Sequence, residues 1–292
     1  MHISVLLKET IQALQVRPDG VYLDATGGMG GHARELVQNL GKNGRLYVAD
    51  ADWRTVEKLE DIFKGDARVC VLHARFSELG ALLQKKTMEP VDGLVADLGF
   101  SSFQLESAEY GFSFKETAPL DMRLDVRRER SALDLIDDLS AEELANLFYT
   151  LGEERYSRKI AVALKHDYLQ GTIHSTADLR GLCERVLGRW YRGQKIHPAT
   201  RVFQALRIAV NHEVQELEAL LKALPSLLKK GGRAAIISFH SLEDRRVKIF
   251  FREMAKGDWK VITKKPVTPS EEEIGNNPRS RSAKLRIIER TF

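Results

Sequence analysis

Cysteine is scarce. Cys70 and Cys183 are the only two in 292 residues, and both sit in apolar runs, Val69-Cys70-Val71-Leu72 and Leu182-Cys183. That argues against a disulfide framework or a cysteine-built metal site and for buried thiols in a reducing compartment; no metal is expected. Long apolar runs are missing too. None approaches the about 18 residues of a membrane-spanning helix, so no membrane partner is expected. The stretch Met1–Glu9 lacks the basic start and small-residue cleavage site of a secretory signal, and a cytoplasmic location is expected. Nor is charge of one sign in large excess: 45 Lys and Arg against 41 Asp and Glu leave +4. Any nucleic-acid site must then be a local patch and not a whole-protein field. No G-x-x-x-x-G-K-[ST] occurs, which argues against a P-loop nucleotidase.

What is present is a glycine-rich turn between a strand and a helix. Val21-Tyr22-Leu23-Asp24 alternates as a strand, four glycines follow within Gly27-Gly28-Met29-Gly30-Gly31, and Ala33–Leu40 carries Leu36, Val37 and Leu40 on one helical face. A helix start presents unpaired N–H groups and the positive end of its dipole, and glycines let a ligand approach the backbone. One glycine would serve an ordinary turn; four point to a ligand loop.

Strands and helices alternate around this unit. Leu7–Leu14 reads as a helix, Arg45–Asp50 as a strand, Trp53–Phe63 as a helix and Ala67–Phe76 as a strand. Ser77 is the expected N-cap of the next helix, and Val91–Leu98 is the fourth strand. This predicts βαβ units and a parallel sheet covered on both faces. From residue 105 to 210 no strand is expected: Ser140-Ala141-Glu142-Glu143 is a capping box, and Glu153–Leu169 and Ser175–Leu187 are amphipathic. Pro198 suits the first position of a helix running past Leu220. Then Gly231-Gly232 reads as a turn, Ala234–Phe239 as the fifth strand, and Ser241-Leu242-Glu243-Asp244 as a helix cap. Lys260–Val267 and Ala283–Phe292 are strands joined by a polar loop, Pro269–Arg281, and therefore antiparallel. The expected domains are residues 1–105 and 211–292 as one α/β part and 106–210 as a helical insert.

Gly28-Met29-Gly30-Gly31-His32-Ala33 fits the G-x-G-x-x-A fingerprint, with Asp50 about 20 residues on to accept both hydroxyls of a ribose. That holds for NAD and for S-adenosylmethionine alike. A seven-stranded sheet with a reversed last strand resembles the class I methyltransferase fold, whereas a dinucleotide dehydrogenase ends in parallel strands. Asp24, Asp50 and Asp97 all close strands and are expected around one crevice. Phe76 is either an adenine-stacking ring or an ordinary core residue.

Asp24–His32 resembles the D-G-T-x-G-x-G-G-H motif of the bacterial 16S ribosomal RNA (cytosine-N4)-methyltransferases, the RsmH or MraW family. Asp97–Ser102, Gly111–Phe114, Pro119–Arg123, Gly152–Arg155, His197–Arg201 with Phe203–Ala205, Ser238–Arg245 and Asn277–Arg279 with Arg281–Ser282 match the same family in order. The resemblance implies a class I (Rossmann-like) seven-stranded α/β fold with an inserted all-helical domain. It implies S-adenosyl-L-methionine as cofactor and a decoding-centre cytidine of 16S rRNA in the small ribosomal subunit as substrate. Cofactor residues carried over are Gly30, Gly31, His32, Asp50, Phe76, Asp97 and Gln104. Ala25 stands where a glycine is usual, and Phe103 where a proline usually precedes the glutamine. Asp97 is the candidate catalytic residue by position. A non-catalytic assembly factor on the same fold is the rival from another class, and a homodimer is among the assembly states left open. For RNA, the stretch Arg185–His212 holds six Lys and Arg, no acid, and Trp190, Tyr191 and Phe203. Arg192, Lys195 and Arg201 are the expected phosphate contacts.

Overall fold

The computed structural model describes residues 4–193 and 196–291. The chain divides into two compact units, Met1–Ser101 with Val214–Phe292, and Ser102–Glu213.

The first unit is an α/β sandwich. In chain order it holds α1 (Leu7–Leu14), β1 (Val21–Asp24), α2 (Gly31–Asn39), β2 (Arg45–Asp50), α3 (Trp53–Ile62), β3 (Val69–His73), α4 (Phe76–Gln84) and β4 (Val91–Asp97). The second unit supplies α5 (Ser102–Glu106), α6 (Ala132–Asp138), α7 (Ala141–Gly152), α8 (Ser157–Leu169), α9 (Thr176–Leu187) and α10 (Thr200–Val210). The first unit resumes with α11 (Glu213–Leu227), whose first residue still belongs to the helical unit. It continues with β5 (Leu228–Ser238), α12 (Ser241–Met254), β6 (Trp259–Val261), α13 (Glu271–Asn276) and β7 (Lys284–Arg290).

The seven strands form one sheet in the order β3-β2-β1-β4-β5-β7-β6. β1 to β5 pair in parallel, and β7 runs antiparallel to β5 and β6. This is the class I Rossmann-like arrangement. The period of two sorts the core: Tyr22, Leu46, Val48, Val95, Ala235 and Ile237 pack under α1, α2 and α3. Leu23, Tyr47, Ala49, Leu94, Ala96 and Ile236 face α4, α11 and α12. Strands buried on both faces explain why they read as continuous apolar runs.

Several sequence expectations are corrected. α4 begins at Phe76, with Arg75 as its N-cap residue and the Glu78 carboxylate accepting from the Arg75 N–H (2.7 Å), so Ser77 is not the cap. Phe76 therefore opens a helix and does not close a strand, since β3 stops at His73. The cap of α12 is His240, whose Nδ1 accepts from the Glu243 N–H, and Ser241 is the first helical residue. Gly231-Gly232 is not a turn ahead of a strand. Val91 pairs with Leu228 and Gly93 with Arg233, so these glycines form a bulge inside a longer β5. β6 is three residues long, because the chain leaves the ladder after Ile262 and Thr263 and rejoins it only at Val267; Pro266 has no N–H to donate. The stretch read as a polar loop contains α13, capped by Ser270.

In the helical unit α7 packs against α8 and α10, and α9 against α8, around buried Leu144, Phe148, Ile160, Leu164, Leu179, Leu182, Val202 and Leu206. Pro198 lies two residues before α10, and the single helix expected beyond Leu220 is two: it breaks at Asn211 and His212, the latter with φ 49°. The break has a visible cause. The buried Asn211 side chain accepts from the Leu124 N–H (2.7 Å) and donates to the Met122 (2.7 Å) and Arg207 (2.9 Å) carbonyls, so it satisfies a loop that has no ladder of its own. Replacing Asn211 with Leu strands those groups and should destabilise the protein by about 1–3 kcal/mol for each one left without water. Urea unfolding followed by circular dichroism measures the loss, and a wild-type midpoint would show that the loop does not depend on Asn211.

Candidate active site

The site begins with the glycine turn. After Asp24 the chain turns through Gly27, whose N–H donates to the Ala49 carbonyl (2.8 Å), and Gly28, whose N–H donates to the Asp50 carboxylate (2.9 Å). Gly30 adopts φ 77°, the left-handed region that glycine occupies without penalty, and starts α2. Gly31 is needed for a different reason: a Cβ there would lie 1.7 Å from the Ser4 hydroxyl. The N-terminal segment is thus pressed onto the helix start. His32 fixes it there, buried at 4% exposure with its Nε2 3.1 Å from the Val5 carbonyl. The imidazole is engaged with that segment, and what His32 presents at the turn is backbone.

Three carboxylates close three neighbouring parallel strands, Asp50 on β2, Asp24 on β1 and Asp97 on β4. Asp50 is buried and spans two loops: one oxygen accepts from Gly28, the other from the Asp52 N–H (2.9 Å). Asp52 in turn caps α3, accepting from the Arg54 N–H and the Thr55 hydroxyl. Asp24 is 1% exposed. Its Oδ1 accepts from the Thr26 N–H (3.1 Å) and lies 3.4 Å from the Thr26 hydroxyl, while its Oδ2 has no partner among the described residues. The same Thr26 hydroxyl accepts from the Asp97 N–H (2.7 Å), so one side chain ties the end of β1 to the end of β4. Asp97 is partly buried and its carboxylate faces the Gly99 N–H at 3.5 Å.

Burial sets the protonation of all three. Desolvation raises Asp24 to about 7; the Thr26 N–H pulls it back, and the Asp50 charge adds to the rise. Desolvation lifts Asp97 to about 7, opposed by the Gly99 N–H and reinforced by Asp24 and Glu243. Asp50 rises to about 6 for the same first reason, held down by the Asp52 and Gly28 N–H groups. Glu243, buried at the start of α12, accepts from the Phe239 N–H (2.9 Å). An anionic crevice with an unpartnered carboxylate oxygen suits a ligand that carries positive charge and hydroxyl donors, and does not suit a diphosphate.

Of the expected cofactor residues, Gly30, Gly31, His32, Asp50 and Asp97 lie at this edge of the sheet. Phe76 follows the adjoining β3, partly buried and packed against the core beneath. Gln104 belongs to the helical unit, buried on α5. Thr26 and Glu243 were not singled out from the sequence. Thr26 sits inside the glycine motif, and Glu243 inside the matching stretch Ser238–Arg245, where its own chemistry reads as that of a cap acid.

The expected RNA residues lie in the helical unit, except that Lys195 is outside the described residues. Arg192 is exposed, and Arg201 donates to the Glu153 carbonyl (3.1 Å). Two of the six cations are paired with acids of the same unit, Arg185 with Asp167 at the surface and Arg207 with the part-buried Glu213. Two of the three aromatics are not platforms: Tyr191 and Phe203 are 7% and 4% exposed. In the first unit Lys284 and Arg286 are paired with Asp244.

The raised acids have a consequence for stability. Between the ordinary carboxylate value of 3.8 and about 7 the folded chain holds protons that the unfolded chain has released. What these acids contribute to stability is therefore full below about pH 4 and lost as pH rises through 6 to 7. Asp24→Asn removes one such group, so its melting temperature should match the wild type near pH 4 and exceed it near pH 8. Scanning calorimetry of the free protein across that range decides, and an equal difference at every pH would show that Asp24 is not desolvated.

The chain is similar to known proteins over nearly its whole length. The description of the MraW methylase family matches residues 1–291. A protein of Koribacter versatilis named "Ribosomal RNA small subunit methyltransferase H" is 45% identical over 298 residues, 99% of this chain and 94% of that one. One of the same name from Sorangium cellulosum is 46% identical over 291 residues, 99% and 90%. Among solved structures, a putative rRNA methylase from Clostridium thermocellum has 12% identity and a TM-score of 0.46 over 100% of this chain and 99% of that one. With a family match from end to end and relatives above two-fifths identity, this chain belongs to the MraW methylase family.

Proposed function

We propose that this protein transfers a methyl group from S-adenosylmethionine to the exocyclic N4 amine of a cytidine in the decoding centre of small-subunit rRNA, in the cytoplasm. The observation that carries the reading is the crevice at the ends of β1, β2 and β4. It has a glycine turn that admits a ligand to the backbone, and buried acids of which one keeps an oxygen without a partner. A cationic nucleoside meets that set; NAD, with its two phosphates, meets repulsion from it. Relatives at 45% and 46% identity bear a small-subunit rRNA methyltransferase name, which supports the substrate class. The amine and its position rest on the motif resemblance.

The cofactor, when bound, supplies an electrophilic methyl group on sulfur. The protein's part is to hold the acceptor in line and exclude water. Asp50 offers lone pairs to the ribose hydroxyls from a position fixed by Gly28 and Asp52. Asp24 Oδ2 offers an acceptor to the ligand's ammonium group. Cytosine N4 is a weak nucleophile because its lone pair is delocalised into the ring. Asp97 would accept one N–H of the amine, turning its lone pair toward the methyl, and would take the proton that the amine loses when the N–C bond forms and the S–C bond breaks, its electron pair staying on the thioether sulfur. A carboxyl held near 7 by burial is matched to that transfer. The helical unit, residues 102–213, supplies RNA contacts, with Arg192, Lys195 and Arg201 among them, and the target base must leave its stack to react.

Nucleoside mass spectrometry of small-subunit rRNA from cells with and without this protein tests the whole reading: the N4-methylated cytidine disappears with the protein. Asp50→Ala should weaken S-adenosylmethionine binding by about 1.5–3 kcal/mol, the range for charge-assisted hydrogen bonds. Calorimetric titration giving wild-type affinity would remove the ribose role. Asp97→Ala should abolish most turnover at a melting temperature no lower than the wild type's near neutral pH; full activity per folded molecule would assign the proton transfer elsewhere.

A further inference from the structure

Two stretches that carry the family resemblance, Gly152–Arg155 and His197–Arg201, have no role in the function proposed above beyond Arg201. In the helical unit they meet. A cavity of about 250 Å³ is lined by Glu154, Arg155, Tyr156, Tyr191 and Arg201. Its walls are held by hydrogen bonds. Glu154 is 0% exposed; one carboxylate oxygen accepts from the Tyr156 N–H (2.8 Å) and the other from the Tyr191 hydroxyl. The Arg201 guanidinium donates to the Glu153 carbonyl. Gly152 allows α7 and α10 to approach, since a Cβ there would lie 2.5 Å from the Arg201 carbonyl oxygen.

The charges around this cavity differ from those elsewhere in the unit. Arg180, Arg185 and Arg207 are paired with Glu184, Asp167 and Glu213. By contrast, no ion pair with a carboxylate joins Arg155, Lys159, Arg189, Arg192 or Arg201 among the described residues. Two of these are stacked on one ring: Lys159 Nζ lies 4.4 Å and Arg189 Cζ 3.8 Å from the centre of Trp190, which itself packs 5.0 Å from the Tyr156 ring at the cavity wall. Cations fixed by an aromatic face keep their full charge and lose little freedom when an anion arrives. Glu154 keeps its charge, but its oxygens are turned to the Tyr156 N–H and the Tyr191 hydroxyl, and the cations Arg155, Arg201, Lys159 and Arg189 outnumber it.

We propose that this cavity is a second contact for the RNA strand, seating a backbone phosphodiester outside the target nucleotide. Arg155 and Arg201 meet the phosphate oxygens, and Lys159 and Arg189 on Trp190 meet the adjoining phosphates. This rests on the RNA reading above. It narrows the contact from the whole run Arg185–His212 to part of it and extends it to the start of α8, outside the run.

The test is anisotropy titration of the full chain with a labelled short single-stranded RNA across a salt series, with S-adenosylmethionine calorimetry on each variant. Arg155→Ala and Lys159→Ala, both at exposed positions, and Arg201→Ala should each reduce the slope of log affinity against log salt by about 0.7. Cofactor affinity should stay at the wild-type value in all three, and the melting temperature in Arg155→Ala and Lys159→Ala. Arg185→Ala, whose charge is neutralised by Asp167, should leave the slope unchanged. Wild-type slopes in Arg155→Ala and Lys159→Ala would overturn the proposal while the RNA reading stands. An equal loss in Arg185→Ala would overturn it as well, by reducing the effect to net charge. A wild-type chain that binds the cofactor but neither binds nor methylates small-subunit rRNA would remove the reading beneath it. Should Arg201→Ala fail to fold, the two exposed variants decide alone.

Discussion

Like charges without water are the constraint on which the first unit turns. Asp50, Asp24 and Asp97 end adjacent strands of one parallel sheet, and each is raised by burial toward neutrality. Parallel strands place their carboxyl ends at one edge, so this crowding follows from topology. Its cost is met locally by backbone N–H groups: Thr26 for Asp24, Gly28 and Asp52 for Asp50, Gly99 for Asp97. A polar group buried without its full set of partners is a stored cost that a complementary ligand can relieve. The same arrangement therefore weakens the free protein as pH rises and, in the proposed function, favours a cation-bearing nucleoside.

The N-terminal segment belongs to this edge. Its Ser4 fills the space over Gly31 and its Val5 carbonyl meets His32. The Leu6 N–H donates to Glu273 of α13 (2.8 Å). Residues from both ends of the chain thus brace the glycine turn. Thr26 does the equivalent work between β1 and β4, accepting from the Asp97 N–H with the hydroxyl that sits beside Asp24. A turn held on several sides keeps its N–H groups aimed without needing the ligand to order it.

In the helical unit, charge is sorted by pairing. A run of six cations without an acid looks uniform along the sequence. In three dimensions Asp167 and Glu213, both outside the run, neutralise two of its members. Arg155, also outside the run, joins Arg201 at one cavity, and Lys159 and Arg189 share the Trp190 ring beside it. In the proposed function the RNA responds to the second pattern, not to the first.

How much of this was legible follows from range. Local chemistry was enough for the glycine turn, for Asp50 about 20 residues beyond it, for the alternation of strands and helices, for Ser140 as a cap and for the reversed last strand. Each depends on residues within one supersecondary unit, where period, turn chemistry and capping act over a few positions. Contacts distant in sequence were not legible. Glu243 read as a cap acid because its field at Asp97 crosses the sheet. Tyr191 and Phe203 read as stacking platforms because burial is decided by other helices. The break at Asn211 waited on a loop some ninety residues earlier. The sequence by itself determined most of the elements, the family and the strand-end acids, since those are written in spacing and residue type. Only the tertiary structure decided which acids lose water, which cations lose their charge to a neighbour and which aromatics remain accessible, because desolvation and Coulomb energy depend on distance in space and not along the chain.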